Sequence, residues 1–143
     1  MKKVIIKIVG SQADDVTQTQ EELAEFTTEG SYTCAGGSGS FTYQESELTG
    51  MAGTRTTVEF TPQEAVLTRE GTVNSRMYFV RGQKNTFLYE TPYGTTTVGL
   101  ETQRFRSTLS ERGGELEIGY VVDFDHAFVG RNQLKINITE QRG

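Results

Sequence analysis

Two glutamates separated by one residue carry the chemistry that this sequence offers most directly. Glu45 and Glu47 follow Phe41 and Tyr43 at alternate positions, and alternate residues of a β-strand share one face. If the two aromatic side chains point into a core, both carboxylates do too, about 7 Å apart. Burial and mutual repulsion would then drive their pKa values apart, as an acid/base pair requires. The alternative is a structural role at the mouth of the fold, with both carboxylates solvated or paired with arginine.

Arginines on the predicted strands are the natural partners of these carboxylates. Arg76 stands out because it follows Asn74 and Ser75 in a segment that is otherwise apolar. A buried arginine must be paired, and its planar guanidinium suits either a carboxylate of the protein or an anionic ligand. Four aromatic residues indicate either a pocket for a small apolar or aromatic ligand or part of the core; they are Tyr43, Phe87, Tyr89 and Tyr93.

The counts of histidine and cysteine restrict metal and nucleophile chemistry. His126 is the only histidine, so it can form neither a multi-histidine metal site nor more than one histidine-activated nucleophile. Cys34 is the only cysteine, which excludes an intramolecular disulfide framework and a thiolate zinc site. We expect structural roles for both residues, and no metal or cofactor.

Strands must position these residues, because apolar and polar side chains alternate along most of the chain. The pattern is clearest over residues 114–130, whose even positions are all apolar or aromatic. Period two over about fourteen of these residues predicts one strand about 45 Å long. A strand of that length must bend, as strands do in small closed barrels, and Gly119 is a suitable position.

Shorter segments with the same period complete the predicted sheet. The first strand covers residues 4–8, and a long second strand begins near residue 22 with a bend at Gly30. Residues 73–81 are apolar on both faces, so we expect both faces to be covered or paired. The apolar phase changes by one residue between Leu100 and Phe105, which predicts a β-bulge over residues 101–104. Residues 130–132 are predicted to form a turn.

Nine or ten strands joined by short turns, without the spacing of βαβ units, predict an all-β fold over residues 1–143 as a single domain. We expect a closed antiparallel up-and-down barrel of about eight to ten strands, because an open sheet of this size would leave long edges exposed. A two-sheet sandwich is the alternative.

Charge and hydropathy limit the classes of partner. The net charge is −5 and no run of basic residues occurs, which argues against sequence-independent binding of nucleic acid. No apolar run approaches the length of a membrane span, and Lys7 interrupts the apolar run at the start of the chain. We therefore expect a cytoplasmic protein with no nucleic-acid or membrane partner.

Five short segments, taken in order, resemble the YwiB family of small uncharacterised bacterial proteins. They are YQESELTGM from Tyr43, NSRM from Asn74, LYETPYG from Leu88, GGEL from Gly113 and NQLKI from Asn132. The resemblance extends over residues 3–140 and implies a calycin-like barrel akin to the lipocalins, with no established activity. Family motif and physical argument coincide at eight candidate ligand-binding positions: Tyr43, Glu45, Glu47, Asn74, Arg76, Tyr89, Glu90 and Tyr93.

Three functions are compatible with these residues. The first is a non-catalytic binding module for an unidentified small molecule, in or at the mouth of the barrel. The second is a structural or protein-interaction module, acting as a homodimer through an apolar outer face such as one side of residues 73–81. The third is a hydrolase or lyase that uses Glu45 and Glu47. Fold analogy cannot decide among them, because barrels host many functions.

Overall fold

The structure, a computed structural model, describes residues 2–13, 20–45, 51–124 and 127–141. Within these ranges the chain forms ten β-strands, and no helix there is long and apolar enough to cross a membrane. The strands are β1 (Lys2–Ala13), β2 (Gln20–Ala35), β3 (Ser38–Gln44), β4 (Thr54–Phe60), β5 (Glu64–Gly71), β6 (Ser75–Val80), β7 (Lys84–Thr91), β8 (Gly94–Ser107), β9 (Gly113–Phe124) and β10 (Ala127–Glu140).

All ten strands belong to one antiparallel sheet with the order β6-β5-β4-β3-β2-β1-β10-β9-β8-β7. Neighbours in the sheet are neighbours in the chain, except that β1 pairs with β10 through contacts such as Ile6 opposite Ile138. The sheet rolls into a nearly closed barrel. This confirms the predicted up-and-down barrel, and the sandwich alternative is wrong because there is one sheet rather than two.

The two outermost strands of the sheet, β6 and β7, meet at a boundary that we call the seam. At one end of the seam the backbones of Asn74 and Glu90 exchange two hydrogen bonds of 2.9 Å. At the other end the backbones of Gly82 and Gln83 bond to Thr102 at 2.9 and 3.2 Å. Between these points, in a segment that the structure describes throughout, β6 and β7 form no ladder. The seam is therefore the weakest boundary in the barrel wall.

The inner face of the barrel differs between its two ends. We call the end with turns 36–37, 61–63 and 81–83 the lower end, and the opposite end the upper end. The lower part is filled by apolar packing: the ring centroid of Phe60 lies 6.1 Å from those of both Tyr32 and Phe41. Leu116 and Ile138 belong to the same core and are almost fully buried.

The predicted single strand over residues 114–130 is wrong. It is two strands, because β9 ends at Phe124 and β10 begins at Ala127, which pairs with Phe124. That pairing places an even residue opposite an odd one, and a register shift between Phe128 and Gly130 then restores even-to-even pairing. The two changes of phase cancel, so even positions share one face in β9 and again in β10 from Gly130 onward, and parity alone does not reveal the reversal between them. The predicted turn at residues 130–132 is likewise wrong, since Gly130 lies within β10 at this bulge.

The predicted bulge in β8 is confirmed. The pairing of β8 with β9 shifts register between Thr102 and Arg104, inside the expected interval. The second strand is also long, as predicted, and Gly30 lies in its interior. A Cβ atom at Gly30 would lie 2.5 Å from both Ile6 Cδ1 and the Thr42 carbonyl oxygen. Glycine is needed there because β1 and β3 approach β2 too closely for any side chain.

Candidate functional site

The inward side chains of β3 to β6 become polar toward the upper end of the barrel. Alternation along each strand carries the inner face from apolar core residues to polar ones. The polar inward residues of these strands are Tyr43, Glu45, Thr54, Thr56, Arg69 and Ser75. A barrel with an apolar lower part and a polar upper part has the layout of a site that orients a bound molecule.

A cavity of about 180 Å³ is lined by residues of β5 to β10, and we call it the lumen cavity. Its lining contains four side chains that can donate hydrogen bonds and four that are apolar. The donors are Arg69, Tyr89, Tyr120 and Asn132, and the apolar residues are Met77, Phe87, Val98 and Val122. Most of these residues are partly exposed, so the cavity communicates with solvent.

Among the described residues, Arg69 is the one charged side chain that lines the lumen cavity. It follows Ala65 and Leu67 on the buried face of β5. One terminal nitrogen, Nη1, contacts Met77 Sδ at 3.6 Å, whereas Nε is buried and has no hydrogen-bond partner in the described part of the chain. Ser75 lies directly opposite Arg69 on β6, and its buried hydroxyl likewise has no partner within the described ranges. Two neighbouring donors in the barrel wall are thus left unsatisfied.

Glu45 points inward after Phe41 and Tyr43, as the alternation predicts, and is only 7% exposed. The Thr56 hydroxyl donates a 2.6 Å hydrogen bond to Glu45 Oε1, and the Glu45 amide donates to the Thr54 carbonyl at 2.8 Å. The carboxylate is therefore fixed by the β3–β4 pair. Its proposed partner Glu47 lies outside the described residues, as does His126.

Tyr43 connects Glu45 electrostatically to the lumen. Burial raises the pKa of the Tyr43 hydroxyl well above its usual value, and the charge of Glu45 and a hydrogen bond to it raise this pKa further, whereas Arg69 opposes the shift. Burial likewise raises the pKa of Tyr120, again opposed by Arg69. Both phenols therefore remain protonated donors over the physiological range of pH.

The free energy of unfolding should fall as the pH rises above about 10, the ordinary pKa of tyrosine. The pKa values of Tyr43 and Tyr120 are raised in the folded chain, so the unfolded chain loses these protons first. Each phenol then favours unfolding by up to about 1.4 kcal/mol per pH unit. Urea unfolding measured at about pH 8 and about pH 11 gives the difference.

Tyr43→Phe is the matched control for this effect because it keeps the ring and removes the ionisable hydroxyl. The variant should lose less stability than the wild type between the two pH values. An equal loss would show that ionisation of Tyr43 does not contribute to alkaline unfolding.

The remaining predicted site residues lie at three different places. Tyr89 points into the lumen cavity. Asn74 and Glu90 form the backbone bridge of the seam, and the Asn74 amide group also bonds both the N–H and the carbonyl of Gly71, at 3.1 and 2.8 Å. Tyr93 is fully exposed in the turn between β7 and β8. The structure thus brings Tyr43, Glu45 and Tyr89 to the inner face and leaves Asn74, Glu90 and Tyr93 at the seam or outside.

Arg76 lies on the outer face of β6, where its guanidinium carbon sits 5.4 Å from the centre of the Tyr78 ring. We expected both faces of this strand to be covered, but Tyr78 is 39% exposed and no described part of the chain covers it. Arg69, one strand away, is the arginine that reaches the lumen.

Comparison with known proteins supports the fold and the family but no activity. The sequence model of a family described as "Domain of unknown function (DUF1934)" matches residues 6–136. The crystal structure of the ywiB protein from Bacillus subtilis is similar, with a TM-score of 0.84 and 21% sequence identity over 99% of this chain and 93% of that chain. No curated protein matches.

Proposed function

The chain belongs to the DUF1934 family of domains of unknown function, and we propose that it is a non-catalytic binding module that holds a small molecule in the lumen cavity. The observation that carries the proposal is the buried Nε of Arg69, which has no hydrogen-bond partner among the described residues. An unsatisfied buried donor costs about 1–3 kcal/mol, and more when it is charged. A bound molecule that accepts this hydrogen bond would remove the cost.

The surroundings of Arg69 also support binding rather than packing. A methionine of similar length would fill the same position without placing a charge at a buried nitrogen that has no hydrogen-bond partner among the described residues, and burial of an unpaired charge costs free energy. An arginine at the edge of a cavity therefore lowers the free energy of unfolding. Residues that bind ligands often lower the stability of a protein in this way.

Native mass spectrometry of the protein purified from its own host tests the proposal. We expect a defined extra mass that disappears on denaturation. The mass should be absent from Arg69→Met and retained by Arg76→Met, the matched control, because Arg76 is exposed on the outer face. Arg69→Met should be at least as stable as the wild type in urea, so loss of the ligand would not reflect loss of the fold.

Two results would contradict the proposal. One is a bare chain in the wild type. The other is an extra mass that Arg69→Met keeps, because the ligand would then be bound elsewhere.

Association into a homodimer is a second candidate function. Tyr78 on β6 and Leu88 on β7 flank the seam on the outside of the barrel, and they are 39% and 54% exposed. Two large exposed side chains next to a partly unpaired boundary favour an interaction surface. The same spectra distinguish the candidates, since a bare dimer would support association and a liganded monomer would support binding in the lumen.

A further inference from the structure

The lumen cavity has the charge of an anion site. Of its eight lining residues in the described part of the chain, one is cationic and none is acidic. Tyr89, Tyr120 and Asn132 add hydrogen-bond donors, and the unpaired Ser75 hydroxyl lies opposite Arg69 in the wall. A cation surrounded by donors attracts an acceptor that carries negative charge.

The unpaired Nε of the Arg69 guanidinium favours a carboxylate. Nη1 is turned toward Met77 Sδ, and the unpaired nitrogen is Nε. Nε and Nη2 form one edge of the planar group, with two parallel N–H directions that match the two oxygens of a carboxylate.

The charge balance favours a monoanion. Arg69 is the one cation that lines the cavity among the described residues, and both Arg69 and the carboxylate of Glu45 act on the pKa of Tyr43, in opposite directions. A phosphate monoester, which carries nearly two negative charges, would be left undercompensated and would also be repelled by Glu45. A single carboxylate is neutralised by a single guanidinium.

The remaining lining limits the body of the ligand. Met77, Phe87, Val98 and Val122 provide an apolar surface in about 180 Å³ of space. An engineered apolar cavity of about 150 Å³ accommodates benzene, so this cavity has room for one ring and its carboxylate but not for two fused rings.

We propose that the lumen cavity binds a small aromatic monocarboxylate, with the carboxylate on the guanidinium of Arg69 and a single ring against Met77, Phe87 and Val98. This proposal rests on the proposed function, because it names the chemical class of the molecule that the binding module holds.

Titration of the ¹⁵N-labelled full chain with four probes, followed by NMR, tests the class. Benzoate has the proposed chemistry, benzamide is its neutral counterpart of the same shape, acetate lacks the ring, and 2-naphthoate has a second ring. Benzoate should bind with a dissociation constant of about 10 µM to 1 mM, as expected for a ligand of this size. The other three should bind at least about tenfold more weakly.

The benzoate affinity of single-residue variants tests whether Arg69 and Ser75 form the binding site. Arg69→Met should weaken benzoate about 10- to 100-fold, to the level of benzamide, and Arg69→Lys should have an intermediate effect because it keeps the charge without the planar edge. Ser75→Ala should weaken the binding of benzoate by a smaller factor, about threefold to tenfold. This variant replaces Arg69→Met in the test if Arg69→Met fails to fold. Arg76→Met should leave binding unchanged.

Equal binding of benzoate and benzamide, or an Arg69→Met variant that binds benzoate like the wild type, would overturn the proposed class. If benzoate does not bind while the native protein carries a defined extra mass, the class is wrong and the binding module stands. If benzoate does not bind and the native protein is bare, both proposals fall.

Discussion

Replacing Phe41 with alanine should lower the free energy of unfolding by about 3–5 kcal/mol. Phe41 has no exposed surface, and its ring lies 6.1 Å from that of Phe60 and 6.4 Å from that of Tyr43. Removal of the ring leaves a cavity in the lower core that the paired strands around it cannot collapse to fill. Urea unfolding of both proteins at neutral pH measures the difference.

Tyr93→Ala is the matched control, because Tyr93 is an aromatic residue that is 100% exposed. Its removal should change the free energy of unfolding by no more than about 0.5 kcal/mol. A Phe41→Ala variant within about 1 kcal/mol of the wild type would contradict the position of Phe41 at the centre of the apolar core.

Gly71→Ala should destabilise the chain by about 3–5 kcal/mol, well beyond Gly94→Ala at about 1–2 kcal/mol. The two glycines have nearly the same backbone, with φ of 137° at Gly71 and 136° at Gly94. A Cβ atom at Gly71 would lie 2.2 Å from the Gly53 carbonyl oxygen, whereas nothing lies within 4 Å of one at Gly94. Gly94→Ala therefore measures backbone strain alone, and Gly71→Ala adds the clash.

The comparison of the two alanine variants by urea unfolding isolates the clash. Because Asn74 bonds both backbone groups of Gly71, a shift at Gly71 should also disturb the upper end of the seam. Amide signals of Asn74 and Glu90 should therefore move in Gly71→Ala and stay in place in Gly94→Ala. Equal destabilisation by the two substitutions would mean that the backbone at Gly53 yields without cost.

Alternation alone was sufficient to predict the class of fold. Period two fixes the inner face wherever one face is polar, as in β3, where Phe41, Tyr43 and Glu45 are buried as expected. The bulge in β8 could also be predicted, because a single change of phase is visible in the sequence. The reversal between β9 and β10 could not, because its change of phase is cancelled by the bulge before Gly130.

The candidate site could be predicted only in part. Tyr43, Glu45 and Tyr89 reach the inner face, but the arginine selected from the sequence, Arg76, does not. Residues 65–67 and 77–80 are apolar at consecutive positions, so parity does not say which arginine faces inward. That choice depends on the pairing of Thr68 with Arg76 and of Arg69 with Ser75, a long-range property that local pattern does not contain.

The barrel is closed by hydrogen bonds at one boundary and by the covalent chain at another. The first and last strands, β1 and β10, are joined by an uninterrupted hydrogen-bonded ladder. Between β6 and β7 such a ladder is missing, and the two strands are connected by the turn at residues 81–83. A proteolytic nick in most turns would leave the ring of strands hydrogen-bonded on both sides of the cut. A nick at residues 81–83 would instead leave β6 and β7 joined through the Asn74–Glu90 bridge at the upper end. Since both strands already have unpaired edges along the seam, this turn is the point where a single cleavage would most favour opening of the barrel and aggregation through those edges.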